Sequence, residues 1–500
     1  MLVCGIVALY GAADPELGLR MLRRIAHRGP DDEGMVRTGD AWLGHRRLSI
    51  VDVAGGAQPL SHDGQYLVGS GEIYNHCALR RGLKVDNMGT GSDNEVILHS
   101  VLAHGGTALG ELRGMYAFVT AGTRQPFLAA RDPVGIKPLY WAKTGDTVLF
   151  ASEMKAFEPA HRRWVEPFPP GAYWTPSTGL VPFAQVLPPS PPPDSTGDVA
   201  LFAERIRSAL VASVEMRMMG DVPVGVLLSG GLDSSIVAAI AARWCARHGQ
   251  RLQTFSVGTE GSDDLRAARE VAAYLGTLHF ERVYTADDAV AAVPEVIAAV
   301  EHYDPALIHS SVANYLLAEL ASRHTKVVLT GEGSDELFAG YDYLRRFARN
   351  DDLDAELQRI VGLLHSLNLQ RCDRTSMAFG LEARVPFLDT GLIALAMLTP
   401  VSLRRPDFGG CEKYLLRSAF SGWLPDHLLW RRKAQFGEGS GMSDVLRSRM
   451  SSTVSELEFR GTRSSVEPQL RNREEAAYYR LWSQALDGIR TTTLGQSVTM

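Results

Sequence analysis

Cysteine is scarce in this chain, and the five among 500 residues stand at irregular spacing, as Cys4, Cys77, Cys245, Cys372 and Cys411. That pattern excludes a disulfide framework and any Cys-x-x-Cys metal pair, and points to a reducing compartment. Long apolar runs are missing too. None approaches the roughly 20 residues of a spanning helix, and the opening MLVCGIVALYG has no basic region ahead of its short apolar stretch, so neither signal peptide nor anchor is expected. No surplus of positive charge exists: 51 basic against 57 acidic side chains leave a net charge of −6, too little to hold a nucleic-acid backbone. Short-period repeats and heptads are also absent. The expectation is a soluble cytoplasmic protein with no membrane or nucleic-acid partner. What is present is ordinary globular composition, 45% hydrophobic and 22% charged, far from the signature of disorder. A chain this long exceeds one core, so two or three domains follow.

The sharpest break in composition is the proline-rich LPPSPPPDSTGD, residues 187–198, which reads as an extended connector. Before it, short β-type runs (CGIVALY, YLVGSGEIYN, MYAFVTA, PFLAAR, TVLFASE) are separated by Gly/Asp turns. After it, strand-like VGVLLSGG, LQTFSVG and KVVLTGEGSDE alternate with Ala/Leu-rich amphipathic segments, the pattern of a doubly wound parallel sheet.

VGVLLSGGLDSS runs from a buried strand through a Gly-Gly turn into a helix expected to begin near Asp233 or Ser234. The N–H groups of such a turn and the positive end of the helix form an anion cradle, and small residues such as Ser229, Gly230, Gly231 and Ser234 let a phosphate come close. It is not the lysine-bearing GxxxxGK[ST] loop, so nucleotidyl transfer is expected rather than γ-phosphoryl transfer. The bland alternative is a strand–turn–helix corner capped by Asp233.

SGGLDSS resembles the pyrophosphate loop of the ATP-pyrophosphatase group, and TFSVG, LTGEGSDELFAGY, DRTSMAFGLEARVPFLD, EKYLLR and WRRKAQFGEG extend the resemblance to the synthetase domain of the asparagine synthetase family over residues 200–485. The resemblance implies adenylation of a carboxylate by ATP. It places Mg²⁺ on Asp233 and Asp335, a phosphate-facing cation at Lys433, and a glutamate supporting adenylate formation and amine attack at Glu332. Leu228, Val257, Thr330 and Gly331 match positions that contact the nucleotide. Glu382 and Arg384 read as a structural ion pair at a turn.

The first half resembles the class II glutamine amidotransferase domain, an N-terminal nucleophile hydrolase, through CGIVALYG, HRGPDDEG, HRRLSIVD, GEIYNH, GTGSDNEVIL, RDPVGIKPLYW and ASEMKA. The resemblance implies a Cys4 thiolate attacking the glutamine amide with its own α-amine as general base. Arg47 and Asp93 match the residues holding the glutamine carboxylate and amine, and Ile50, Val51, Gly71 and Glu72 the lining of that pocket. Two departures stand out. Met-Leu-Val precedes Cys4, and initiation at Val3, from a GTG codon, would give the free cysteine that the chemistry demands. Ser70 stands where the family carries an asparagine that donates to the oxyanion, a loss worth about 10²–10³ in rate, so a weak or absent glutaminase is expected.

The acceptor region departs as well. The Thr-Thr-x-Arg segment of aspartate-specific members reads Ala306-Leu307-Ile308-His309 here, and His309 is either a polar contact to a different acid or a pocket wall. The resulting expectation is a two-domain ligase. Residues 4–186 would form an αββα sandwich glutaminase, 187–198 a linker, 199–490 a doubly wound parallel-sheet adenylating domain with added helices, and 491–500 a flexible tail. It would use ATP and Mg²⁺ to join a small carboxylic acid, aspartate or a relative, to ammonia from glutamine; a homodimer is carried from the resemblance alone. Open alternatives are a specialised relative using another acid or amine, such as free ammonia or hydroxylamine, a β-lactam-forming relative, and a non-catalytic glutamine or nucleotide sensor.

Overall fold

The computed structural model describes residues 4–11, 14–83, 88–187, 197–431 and 442–495. The β-type runs of the first half form β1 (Gly5–Tyr10), β2 (Asp32–Thr38), β3 (Ala41–Arg47), β4 (Leu60–His62), β5 (Gln65–Ile73), β6 (Gly114–Gly122), β7 (Leu128–Arg131), β8 (Tyr140–Thr144), β9 (Thr147–Ala151), β10 (Val165–Pro167), β11 (Ala172–Thr175) and β12 (Gly179–Pro182). They make two antiparallel sheets, ordered β10-β8-β9-β1-β3-β2 and β12-β11-β7-β6-β5-β4. Alternation along each strand sends one set of side chains between the sheets, where Phe127, Trp141, Phe150, Phe168 and Trp174 pack with β1 residues Ile6 and Ala8. The other faces are covered by helices. The helix Pro15–Arg24, capped by Asp14, lays Leu17, Met21 and Leu22 on β1 and β3, and the helix Glu95–His104 covers β4 and β5. The layering is the expected αββα sandwich.

The second half holds the parallel sheet: β13 (Val224–Leu227), β14 (Gln253–Gly258), β15 (Leu278–Val283), β16 (Val327–Leu329) and β17 (Glu382–Arg384), ordered β15-β14-β13-β16-β17. Order reverses at β13, and the C-terminal ends of β13 and β16 flank the crevice where ligands of doubly wound sheets bind. The Ala-rich helix Leu232–Arg247 follows β13 directly with Gly231 as its N-cap, one residue earlier than expected. Helix Asp263–Leu275 is capped by Ser262 and ended by Gly276 at φ +66°.

The two antiparallel sheets lie within residues 5–182 and the parallel sheet within 224–384, while residues 188–196 of the expected linker lie outside the described residues. Of the expected tail, 491–495 is docked rather than flexible: Thr493 Oγ1 donates to the Val165 carbonyl and the Gly495 carbonyl meets His302 Nε2 at 3.1 Å. Residues 496–500 lie outside the described residues. No helix among the described residues is long and apolar enough to cross a membrane.

The halves meet along a seam of buried charge. Arg28 bridges Glu153 and Asp373 at 2.6 and 2.8 Å, Arg374 bridges Glu153 and Glu301, and Lys137 reaches Glu382. The expected Glu382–Arg384 pair forms at 2.8 Å, but on β17 rather than at a turn, because Glu382 and Arg384 flank Ala383 on one face of the strand. Charges this deep persist only when paired, and removing one partner of such a pair costs about 3–5 kcal/mol.

Candidate active sites

Cys4 leads into β1 and sits against the segment after β3, where its Sγ accepts from the Leu48 N–H at 3.4 Å. Arg47, the last residue of β3, donates to the carbonyls of Asp52 and Val53 at 2.6 and 3.2 Å, so it folds over the turn that carries Ile50 and Val51. The Asp52 carboxylate in turn accepts from Gly91 N–H at 2.7 Å, tying that turn to the loop before Asp93. Asp93 accepts from Ile73 N–H at 2.6 Å. Between them, Gly71 holds φ +118°, and a Cβ there would lie 1.9 Å from the Met115 carbonyl oxygen, so only glycine fits. Cys4 thus meets Leu48 and Ser70 directly, while Arg47 and Asp93 are fixed by backbone groups of the neighbouring turn and of β5.

Two features of this site differ from expectation. Ser70 donates its hydroxyl to the Cys4 carbonyl at 2.8 Å, so at rest it holds the backbone of the nucleophile. Glu72 turns its carboxylate toward Arg384 across the seam, at 3.2 Å, instead of only lining the glutamine pocket. Burial, reinforced by Asp93 and Glu382, pushes the Glu72 carboxyl well above the usual range. Burial also pushes the Cys4 thiol up to about 12, against the opposing hydrogen bond from Leu48. A thiol so placed stays protonated until a base reaches it.

The second site is a cavity of about 780 Å³ at the C-terminal ends of β13 and β16. Ser229, Gly230, Gly231, Asp233, Ser234, Thr330, Gly331, Glu332 and Asp335 all line it. The turn is held in shape by its own serines, with Ser229 N–H on Ser234 Oγ at 3.2 Å, and by Arg431, which donates to the Gly230 carbonyl and to Asp264. Gly230 lies at φ +74° with the Asp264 carbonyl 2.7 Å from where a Cβ would stand, so the chain can turn there only as glycine. Leu228 and Val257, expected at the nucleotide, have side chains buried in the apolar core, and Leu227 reaches the cavity wall. Lys433 lies outside the described residues.

Asp233 does not cap its helix. Its carboxylate and that of Asp335 both receive the ammonium of Lys413, at 2.7 and 2.6 Å, and Ser334 Oγ donates to Asp233 at 2.7 Å. Burial opposes the Lys413 charge, yet the two aspartates hold its pKa above the ordinary lysine value. Gly340 makes room: a Cβ there would fall 2.0 Å from Asp335 Oδ1 and 2.2 Å from Lys413 Cε. Lys413 itself takes a left-handed backbone at φ +55°, a conformation retained where function or packing over-determines it. Glu332 meets Arg371 at 2.6 Å, and Arg371 also donates to Ser310 Oγ. His309 proves to be a cavity-wall residue bonded to Glu474 at 2.5 Å.

Sequence reasoning misses Lys413 and Arg371. The signal for Lys413 was present, since EKYLLR is one of the strings that carry the resemblance, but only the fold shows that its lysine is buried between two aspartates from other segments.

The geometry therefore offers a half-buried thiol on the Leu48 N–H with Ser70 at its carbonyl, and separately an anion cradle beside two acids, a lysine and a Glu–Arg pair. Comparison with known proteins gives the same division. Residues 3–167 match the family model of the glutamine amidotransferase domain, and residues 205–363 and 345–490 match that of asparagine synthase. The chain is 40% identical over 504 residues to an asparagine synthetase [glutamine-hydrolyzing] of Asparagus officinalis, covering 96% of this chain and 85% of the relative. It is 40% identical over 509 residues to asparagine synthetase [glutamine-hydrolyzing] 3 of Arabidopsis thaliana, covering 96% and 86%. Against the Sandersonia aurantiaca asparagine synthetase [glutamine-hydrolyzing] it is 38% identical over 513 residues, covering 96% and 95%.

Proposed function

Because the chain belongs to the glutamine-hydrolysing asparagine synthetase family, we propose that it is an ATP-dependent amidotransferase that converts aspartate to asparagine with glutamine as the amide donor. What supports the reading is that one chain carries candidate residues for both reactions, Cys4 on the Leu48 N–H in the first half, and Lys413 between Asp233 and Asp335 with the Glu332–Arg371 pair in the second. The same similarity supports this main reading over a specialised relative or a sensor. A homodimer belongs to it through the resemblance alone.

In the first site Arg47 and Asp93 would anchor the carboxylate and amine of glutamine, leaving its amide at Cys4 Sγ. Attack forms the thioester and releases ammonia; water then frees glutamate. A thiol raised to about 12 needs an adjacent base, which the α-amine of Cys4 supplies in a chain that starts there. In the second site the loop Ser229–Ser234 would cradle the ATP phosphates while the β-carboxylate of aspartate attacks the α-phosphorus, expelling pyrophosphate. Ammonia then attacks the acyl-adenylate carbonyl beside Glu332, and AMP leaves.

The donor set at Asp233 and Asp335 fits Mg²⁺. Both are carboxylates, both already converge on one positive charge, and Mg²⁺ is commonly held by one or two carboxylates plus substrate phosphates. When bound there it would offset charge on the leaving pyrophosphate. Lys413 holds the two aspartates in place, and Arg371 orients Glu332.

The test is AMP formation from ATP with L-aspartate, using glutamine or ammonium chloride as donor. Asparagine from both donors is expected, and Cys4→Ala is expected to abolish synthesis from glutamine while leaving the ammonia reaction within about twofold. Absence of AMP with aspartate under either donor would overturn the reading.

A further inference from the structure

Beyond the adenylation residues, the cavity has an end wall built from two helices that the mechanism above does not use. Pro305–Ser322, capped by Asp304, presents His309 and Ser310; Arg473–Ala485, capped by Asn472, presents Glu474. Glu474 is only 2% exposed. One of its oxygens, Oε1, is committed to His309 Nε2 at 2.5 Å and to the Tyr478 hydroxyl at 3.1 Å. The other, Oε2, faces Arg447 Nε at 3.9 Å, beyond hydrogen-bond length; the Arg447 side chain is 60% exposed and its Nη1 donates to Asp444 at 2.8 Å. A nearly buried carboxylate with one oxygen fixed and the other short of its cation is under-satisfied in this state, and a cationic ligand group gains a charge-assisted bond there.

The wall is tied to the reacting end of the cavity by direct contacts. Ser310, next to His309, accepts from Arg371, and Arg371 pairs with Glu332. Glu332, Glu474 and Arg447 line one cavity, so an acid with its reacting carboxylate at Glu332 shares that space with the other two. We propose that these two residues select the acceptor as an α-amino acid, Glu474 Oε2 taking the α-ammonium and Arg447 the α-carboxylate, with His309 and Tyr478 positioning Glu474. An acid–base pair held just out of contact is complementary to a zwitterion and not to a plain dicarboxylate. This inference rests on the aspartate reading above and names the groups that enforce it.

The experiment compares AMP formation with L-aspartate and with succinate, the same carbon skeleton without the ammonium, using ammonium chloride as donor. The full-length protein is expected to prefer aspartate by ~10³-fold or more, since a site built to hydrogen-bond a substrate N–H rejects the analogue lacking it. Glu474→Gln is expected to raise the KM for aspartate by ~10²-fold, leave the KM for ATP within about twofold, and shrink the preference over succinate below ~10-fold. Arg447→Gln changes an exposed side chain, so it tests the wall without disturbing the core; a ~10-fold rise in aspartate KM is expected. The unchanged KM for ATP reports that the adenylating half of each variant is folded. Unchanged aspartate KM in both variants, or equal use of succinate by the unmodified protein, overturns the selection while leaving the amidotransferase intact. No AMP with either acid removes both readings.

Discussion

The two sites solve the burial of ionisable groups in opposite ways. Around Cys4, although the charged Arg28 reaches its carbonyl, three groups are pushed toward their neutral forms: burial pushes the thiol up to about 12, raises the Glu72 carboxyl, and pulls the buried imidazole of His45 down to about 3. Around Asp233 the groups stay charged and are paired, Lys413 with two aspartates and Arg371 with Glu332. The chemistry explains the difference. An amide hydrolase that carries its own base benefits from a dry pocket in which charge appears only on the reaction path. An adenylating site must receive a polyanion, and prearranged charges exchange partners when it arrives without the cost of being created.

Removing the central cation is the strongest way to break this contrast. Lys413→Met keeps the length of the side chain and removes the ammonium that Asp233 and Asp335 share. Adenylation is expected to fall by about 10²–10³ with either nitrogen donor, while glutamate release from glutamine is unaffected. A variant whose AMP formation stays within about threefold of the unmodified rate would show that the two aspartates do not depend on their shared ammonium.

Acid probes the neutral half. His45 lies fully buried on β3 and its Nε2 meets the Gly69 carbonyl at 3.1 Å. Its folded pKa of about 3 lies below the ordinary 6.5, so between these values the unfolded chain binds a proton that the native state refuses. Stability contributed by the neutral imidazole is therefore present above pH 6.5 and lost as pH falls toward 3, about 3 kcal/mol of it by pH 4. His45→Gln retains a donor without the titration and is expected to flatten that loss. Urea unfolding followed from pH 7 to pH 4 measures it; parallel curves for the two proteins would place the acid sensitivity elsewhere.

The same contrast explains what the sequence revealed. Strand runs cut by Gly and Asp, and apolar strands alternating with Ala/Leu helices, report local periodicity, and they located the β-rich half, the parallel sheet and the SGGLDSS turn. Lys413 and Arg371 became visible only in the fold, since each is defined by carboxylates far away in sequence. Glu72 shows the reverse case. Its place beside Gly71 predicts a pocket residue, but alternation along β5 says which face a side chain takes and not that Arg384 of the other half covers it. Leu228 and Val257 were assigned by resemblance and lie in core, because a nucleotide-binding strand offers mostly backbone at its tip. Residues 491–500 read as a flexible tail, yet the bonds of Thr493 and Gly495 to Val165 and His302 are long-range and leave no local signature.

Ser70 gives the finest test of the neutral site. Its hydroxyl spends its proton on the Cys4 carbonyl, so it steadies the nucleophile rather than waiting for an oxyanion. An asparagine there could supply a donor at longer reach, and a full oxyanion donor is worth about 10²–10³. The position is only 1% exposed, however, and forcing a larger side chain into packed surroundings costs about 1–3 kcal/mol. Those opposing magnitudes leave an expected gain of about tenfold in glutamate release for Ser70→Asn, with synthesis from free ammonia unchanged. A Ser70→Asn protein no faster than the parent would mean that the hydroxyl already serves the oxyanion, and that this half was never the weaker of the two.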